Sequence, residues 1–292
     1  MTLPYLTQAQ APLTSEIEAL NEFGELQKVS IPAERALTVY VDKRELVTLM
    51  TLGANPELLV LGYLRNQRLV REVADIESIT VDWEVGAAAV KTRHGIEDIE
   101  AKTAQRVVTT GCGQGSVFGG LMDEVDNIRL PAEAFITQGQ LYGLVNTIRL
   151  KETTYKSAGS VHACALFSTA SGESEMLLFV EDVGRHNAID TIAGWMWMNE
   201  NASFSDANQV FYTTGRLTSE MVIKSAQMGV PVVVSRSGIT QMGHQVAQSV
   251  GLCAIGRATN KRFLCYTHPQ RLKLQPGLVT APSSSSFGTE AG

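Results

Sequence analysis

Between residues 160 and 257, short apolar runs alternate with amphipathic stretches, and this alternation narrows the fold more than any other feature of the chain. His162–Ser168 and Met176–Val180 read as strands joined by the turn S-G-E-S. Gln209–Thr214, Val230–Ser235 and Leu252–Gly256 read as three more. V-P-V-V-V-S at 230–235 is almost wholly apolar, as a strand covered on both faces must be. Helical patterns follow the strands: one opened by E-D-V-G-R-H-N-A-I-D (181–190) and running through Met198, then 216–228, then 240–250. Strands alternating with helices predict a three-layer α/β domain.

The rest of the chain organises around this domain. Residues 1–35, with Pro4, Pro12 and Pro32, predict an irregular N-terminal segment. Ala36–Val41 and Leu46–Met50 predict a hairpin with its turn at 42–45. Asn55 is a predicted cap and Pro56 the opening of a helix to about Gln67. Ile76–Trp83 and Ala87–Arg93 read as two more strands. Residues 36–105 are therefore expected to form a smaller α+β region, and 106–272 the α/β domain. Within the latter, Leu130–Thr153 reads as mainly helical, opened by Pro131, and Lys156–Gly159 as a polar turn. The serine-rich end, 273–292, is expected to be a disordered tail.

Composition excludes several function classes. The net charge of −6 argues against a general nucleic-acid partner, which favours a basic face. No apolar run is long enough to span a bilayer, so no membrane partner is expected. The four cysteines, Cys112, Cys164, Cys253 and Cys265, form no C-x-x-C pair, and the N-terminus lacks the basic and apolar regions of a signal sequence. Reduced thiols in a soluble, cytoplasmic protein are the expectation.

One cysteine stands apart. Cys112 lies in V-V-T-T-G-C-G-Q-G-S-V-F-G-G (107–120), among Gly111, Gly113, Gly115, Gly119 and Gly120. Glycines let a loop turn sharply and let other groups approach the backbone. The lead-in reads as a strand, which puts a candidate nucleophilic thiol at the tip of a mobile loop; the plainer reading is a flexible loop that happens to hold a Cys. Cys253 and Cys265 lie in apolar strand contexts and are expected to be buried.

In open α/β sheets ligands bind where strands end and helices begin. Three further segments have that position: 181–187, 213–220 (T-T-G-R-L-T-S-E) and 235–240 (S-R-S-G-I-T). Free backbone N–H groups, helix N-termini and arginines suit a phosphorylated ligand. The candidate binding residues are Asp182, Arg185, His186, Asn187, Thr214, Arg216, Ser235 and Arg236, with Gly111, Gly113 and Gly115. The plainer reading makes these ordinary turns with capping side chains. His162, two residues before Cys164 in a strand, reads as a core residue or one that supports the site from behind. No Walker, G-x-G-x-x-G or G-x-S-x-G pattern is present, and neither zinc-deaminase signature occurs, so no metal ligands and no structural zinc are expected.

Over about Leu37 to Gly256 the chain resembles the FdhD accessory sulfurtransferases of formate dehydrogenase. The resemblance rests on L-V-T-L-M (46–50), the T-T-G-C-G loop, G-S-V-H-A-C-A-L (159–166), E-D-V-G-R-H-N-A-I-D (181–190) and G-R-L-T-S-E-M-V-I-K-S-A-Q-M-G-V-P-V (215–232). It implies a cytidine-deaminase-like α/β domain without the zinc, a homodimer, and binding of guanine nucleotide parts. It also implies a role: persulfide sulfur is taken from a cysteine desulfurase and passed to the molybdenum or tungsten bis-guanine-dinucleotide cofactor of formate dehydrogenase. Cys112 would be the carrier thiol. The family's loop usually carries Cys-x-x-Cys, whereas here Gly115 stands at the second position. A lone thiolate can accept sulfur, but a second thiol would release it. The alternative is a chaperone that binds the cofactor without moving sulfur; an unrelated hydrolase or deaminase lacks any complete signature.

Overall fold

The computed structural model describes residues 2–96, 125–151, 153–200 and 208–278. The Cys112 loop and residues 279–292 lie outside this set. The described part is a mixed α/β structure with two principal sheets.

The first sheet orders its strands β1-β6-β7-β4-β5. These are β1 (Tyr5–Leu6), β4 (Arg35–Val41), β5 (Arg44–Thr51), β6 (Ile76–Asp82) and β7 (Ala87–Thr92). The β4–β5 turn is tighter than expected. Asp42 and Lys43 alone make it, both left-handed at φ 47° and 73°, as a two-residue hairpin turn requires. Residues 1–35 are not irregular throughout. A separate hairpin, β2 (Thr14–Leu20) with β3 (Leu26–Pro32), closes through N-E-F-G-E with Gly24 at φ 80°. The three prolines lie before the strands or at the end of one, where no ladder N–H is lost.

Helix α1 (Pro56–Asn66) covers the first sheet. Asn55 occupies its N-cap position but makes no capping hydrogen bond with its side chain; Pro56 supplies the start. The other side of α1 crosses α4 (Arg185–Met198) at a pair of glycines. A Cβ at Gly62 would collide with the Asp190 carbonyl, and one at Gly194 with the Leu58 carbonyl. The two backbones can lie this close because neither glycine carries a side chain. Trp197 of α4 completes the core of Leu37, Val39, Leu61, Ile76 and Ile79.

The second sheet orders its strands β10-β9-β11-β12-β13-β14. They are β9 (His162–Ser168), β10 (Glu175–Asp182), β11 (Gln209–Thr213), β12 (Val232–Ser235), β13 (Cys253–Thr259) and β14 (Arg262–Cys265). β11, β12 and β13 run parallel; β9, β10 and β14 run antiparallel to their neighbours. Side chains alternate between two cores. Cys164, Leu166, Phe211, Val233 and Ala254 face α4, α5 (Ser219–Gln227) and α6 (Gln241–Val250). Ala165, Phe167, Val210, Tyr212, Val232, Val234 and Ile255 face α2 (Gln138–Leu150). Helices therefore lie on both faces of this sheet. No helix among the described residues is long and apolar enough to cross a membrane.

Helix α2 starts seven residues after the predicted opening at Pro131. Thr137 and Gln140 form a reciprocal capping box: Gln140 N donates to Thr137 Oγ1 at 3.2 Å, and Thr137 N to Gln140 Oε1 at 2.9 Å. The residues before it instead pair β8 (Ile136–Thr137) with β15 (Leu272–Lys273). Part of the predicted polar turn at 156–159 is a short helix, α3 (Thr154–Ala158).

Candidate functional site

Because β9 runs antiparallel to β11, its first residue lies beside the C-terminal ends of β11 and β12. The Thr214 amide donates to the Ala163 carbonyl at 2.9 Å, and the Ala163 amide donates to Thr214 Oγ1 at 3.0 Å. A cavity of about 690 Å³ opens at this crevice, on the α2 face. Its size suits a nucleotide-scale ligand. Val145, Ile148, Phe179 and Tyr212 give it apolar walls; Arg149, Lys156, Arg236 and His162 give it basic groups. Burial holds the His162 imidazole below the usual histidine range, and the positive charges of Arg185 and Arg216 push it the same way. Burial likewise pushes the Tyr212 phenol up to about 12, against the pull of Arg236.

Of the residues singled out in the sequence, Thr214 and Arg236 line this cavity. His162, read from the sequence as a core or supporting residue, lines it directly and is only half-buried. The signal for it was strand direction: an antiparallel neighbour brings its N-terminal end to the mouth where parallel strands bring their C-terminal ends. Arg149 and Lys156 had no motif to mark them.

The other candidates serve different ends. Asp182 is buried and accepts four hydrogen bonds: from Thr51 Oγ1 and the Leu52 amide (3.1 Å) on the first sheet, and from the Gly184 amide (3.1 Å) and Asn187 Nδ2 (2.8 Å) on its own turn. Burial still raises its carboxyl above the ordinary value, with these bonds opposing. Asn187 Nδ2 also donates to the Met50 carbonyl at 2.7 Å. Together they clasp the two sheets. Ser235 donates to the Gly215 carbonyl at 2.6 Å and accepts from the Ser237 amide at 2.9 Å. Arg185 is buried, its Cδ so near Gly215 that an added Cβ there would lie 2.9 Å away. Arg216 is exposed. Cys112, Gly111, Gly113 and Gly115 lie outside the described residues.

His186 turns inward rather than toward the cavity. Its Nε2 lies 3.2 Å from Glu220 Oε2, outside hydrogen-bond geometry. Burial drives its pKa down to about 3, helped by Lys224 and opposed by Glu220, so the ring is neutral. Beneath it, Lys224 Nζ lies 3.0 Å from both carboxylate oxygens of Asp190 and 3.5 Å from Glu220 Oε1. Asn66 of α1 donates to Asp190 Oδ1 at 2.6 Å. This network welds α1, α4 and α5 under the site.

The sequence pointed to free backbone amides in the two loops after β11 and β12. The structure uses them internally. The Gly215 amide donates to Thr213 Oγ1 (3.1 Å), Leu217 to the Gly238 carbonyl (2.9 Å), Arg236 to the Thr213 carbonyl (3.0 Å) and Thr240 to the Leu217 carbonyl (3.0 Å). The amides of Thr154 and Tyr155 at the start of α3 are capped by Glu181, at 2.6 and 3.1 Å. The charged groups lining the cavity are therefore side chains, Arg149, Lys156 and Arg236 with the Glu181 carboxylate among them, rather than an amide cradle.

Cys164 is fully buried, its Sγ 3.4 Å from Thr213 Oγ1, and burial pushes the thiol up to about 12. A thiol so protonated is a poor nucleophile at neutral pH. Among the described residues no group of three or more His, Cys, Asp or Glu side chains is disposed to hold a metal ion.

Comparison with known proteins places this geometry in a family. Over 261 residues the chain is 31% identical to a Bacillus subtilis protein named sulfur carrier protein FdhD, covering 86% of this chain and 94% of the relative. A Bacillus licheniformis protein of the same name is 30% identical over 254 residues, covering 86% and 93%. A solved structure from Desulfotalea psychrophila, described as a candidate formate dehydrogenase accessory protein, shares the fold with a TM-score of 0.69 at 21% identity, over 89% of this chain and all of that one. The model of the FdhD/NarQ family matches residues 32–273, and the chain belongs to that family.

Proposed function

We propose that this chain is a sulfur carrier required for formate dehydrogenase activity. Its substrates are a persulfide and the molybdenum or tungsten bis-guanine-dinucleotide cofactor destined for that enzyme. The Cys112 thiolate attacks the terminal sulfur of a cysteine desulfurase persulfide; the donor thiolate leaves, and Cys112 holds the sulfur as its own persulfide. Gly111, Gly113 and Gly115 flank Cys112 in sequence and, having no Cβ, would let donor and acceptor approach the backbone there. The cargo is bound in the cavity beside His162. Arg149, Lys156 and Arg236 would meet its phosphates, and Phe179 and Tyr212 would face a purine ring. A cytidine-deaminase-like description of the second sheet, a homodimer and a cytoplasmic setting belong to the same reading.

The observation that carries the reading is this basic, aromatic-walled cavity, in a chain whose relatives are named sulfur carriers. The test is intact-protein mass spectrometry after incubation with a cysteine desulfurase and cysteine. A sulfur adduct on the wild type and none on Cys112→Ala is the expected result.

One observation favours a second reading, a chaperone that binds the cofactor without moving sulfur. Gly115 replaces the usual second thiol, and Cys164, the remaining Cys near the site, is buried and protonated. Formate dehydrogenase activity that persists with Cys112→Ala would select it. In either case Arg236→Ala should weaken binding of guanosine diphosphate, and unchanged affinity would remove Arg236 from the site.

A further inference from the structure

Two cysteines take no part in the site described above. Cys253 on β13 and Cys265 on β14 place their Sγ atoms 3.8 Å apart. The two strands are antiparallel, and Ile255 is the residue opposite Cys265, so the thiols are diagonal neighbours across the pair. Cys253 is buried and Cys265 half-buried, on a four-residue strand at the end of the sheet. The sulfurs are thus in contact, within about 2 Å of the separation that a disulfide bond requires.

The pair is also polarised. The hydrogen bond from Cys253 holds the Cys265 thiol below the usual cysteine range, while the same contact and burial push Cys253 up. The buried guanidinium of Arg271 favours negative charge at Cys253. The more accessible thiol is Cys265, and the buried Cys253 lies beside it, an arrangement that stepwise thiol oxidation can use.

We propose that Cys253 and Cys265 form a peroxide-oxidisable dithiol, a modification site separate from Cys112. The Cys265 thiolate attacks one oxygen of hydrogen peroxide. The O–O bond breaks, the second oxygen leaves as hydroxide and takes up a proton, and Cys265 becomes a sulfenic acid. The Cys253 sulfur then attacks the Cys265 sulfur and expels water. In sum, two thiols and one hydrogen peroxide give one disulfide and two waters; the sulfurs lose two electrons and the peroxide gains them. An external thiol reverses the bond. Tyr266, the next residue, seats its ring against Gly256, beside the carbonyl of Ser237, a residue that lines the cavity.

The test uses the folded full chain. It is treated with hydrogen peroxide, its remaining thiols are alkylated after unfolding, and it is digested with trypsin without reduction. The expected product is peptide 237–257 joined to peptide 263–271, released by dithiothreitol. The link should persist in Cys112→Ser and vanish in Cys265→Ser, where Cys253 stays alkylatable. Oxidation of Cys265 to sulfinic acid with Cys253 still free would overturn the proposal. So would a link from Cys265 to any other cysteine, or two unmodified thiols once Cys112 has been oxidised. The wild-type digest decides the matter even if the serine variant folds poorly.

Discussion

Replacing Lys224 by Met isolates the charge at the centre of the molecule. Lys224 and Asp190 are both fully buried, with Nζ 3.0 Å from each carboxylate oxygen. Met fills much the same volume, so the change removes the ammonium while leaving little void. Asp190 then keeps Asn66 Nδ2 at 2.6 Å but no counter-ion so close. Breaking a buried pair in this way costs about 3–5 kcal/mol, against roughly 0–1 kcal/mol for an exposed pair. Urea unfolding at pH 7, followed by tryptophan fluorescence, should show a midpoint drop with little change in slope. The pH dependence supplies a second check. Burial already raises the Asp190 carboxyl in the folded state, and losing Lys224 removes the charge that opposes this rise. A group with a raised folded pKa contributes stability that is present below its unfolded pKa and lost as pH rises through the folded one. The deficit of Lys224→Met should therefore shrink on acidification. Asp190→Asn added to Lys224→Met should recover part of the loss. A deficit below about 1 kcal/mol at pH 7 would refute the claim that this pair acts as a buried charge pair.

Three further outcomes follow from the same geometry. Gly62→Ala should cost about 1–3 kcal/mol or more in chemical denaturation, because the new Cβ meets the Asp190 carbonyl, whereas Gly277→Ala, in open space, should change little; equal effects would remove the α1–α4 crossing as the cause. The His186 ring should stay neutral by NMR across neutral pH and titrate only near 3. Its folded pKa is depressed, so its contribution to stability is present above the ordinary histidine value and is lost as pH falls toward 3; a ring titrating near 6.5 would contradict the burial argument. Cys164 should resist iodoacetamide in the folded protein at pH 8 and react after unfolding, and rapid native labelling would mean that the thiol is reachable.

The second sheet was legible because its strands are nearly continuous apolar runs and its helices carry an apolar stripe; both patterns are local. The start of α2 was not, because Pro131 is a common helix opener and the competing signal, Thr137 three residues before Gln140, is short. The hairpin at 14–32 was hidden by prolines that turned out to sit before or at the ends of its strands. Thr214 and Arg236, singled out for their position after strands, line the cavity. Asp182, Asn187 and Ser235 carry the same chemistry at similar positions but spend it on the fold. Nothing in a single sequence separates a polar group aimed at a ligand from one aimed at a neighbouring loop, since that depends on long-range pairing. The direct place of His162 at the cavity, beyond a core or supporting role, follows from the direction of β9, which composition does not reveal.

The clasp at Asp182 has a consequence for how the chain opens. Two of its four donors come from the first sheet, and Asn187 reaches back to the same strand through the Met50 carbonyl. Pulling the sheets apart would strip the buried carboxylate of half its hydrogen bonds while also uncovering the glycine crossing of α1 and α4. No step in that separation is favourable by itself. The sheets should therefore exchange their slowest amide protons together, as one cooperative unit, and a fragment holding only residues 125–278 should lack the protection of the full chain.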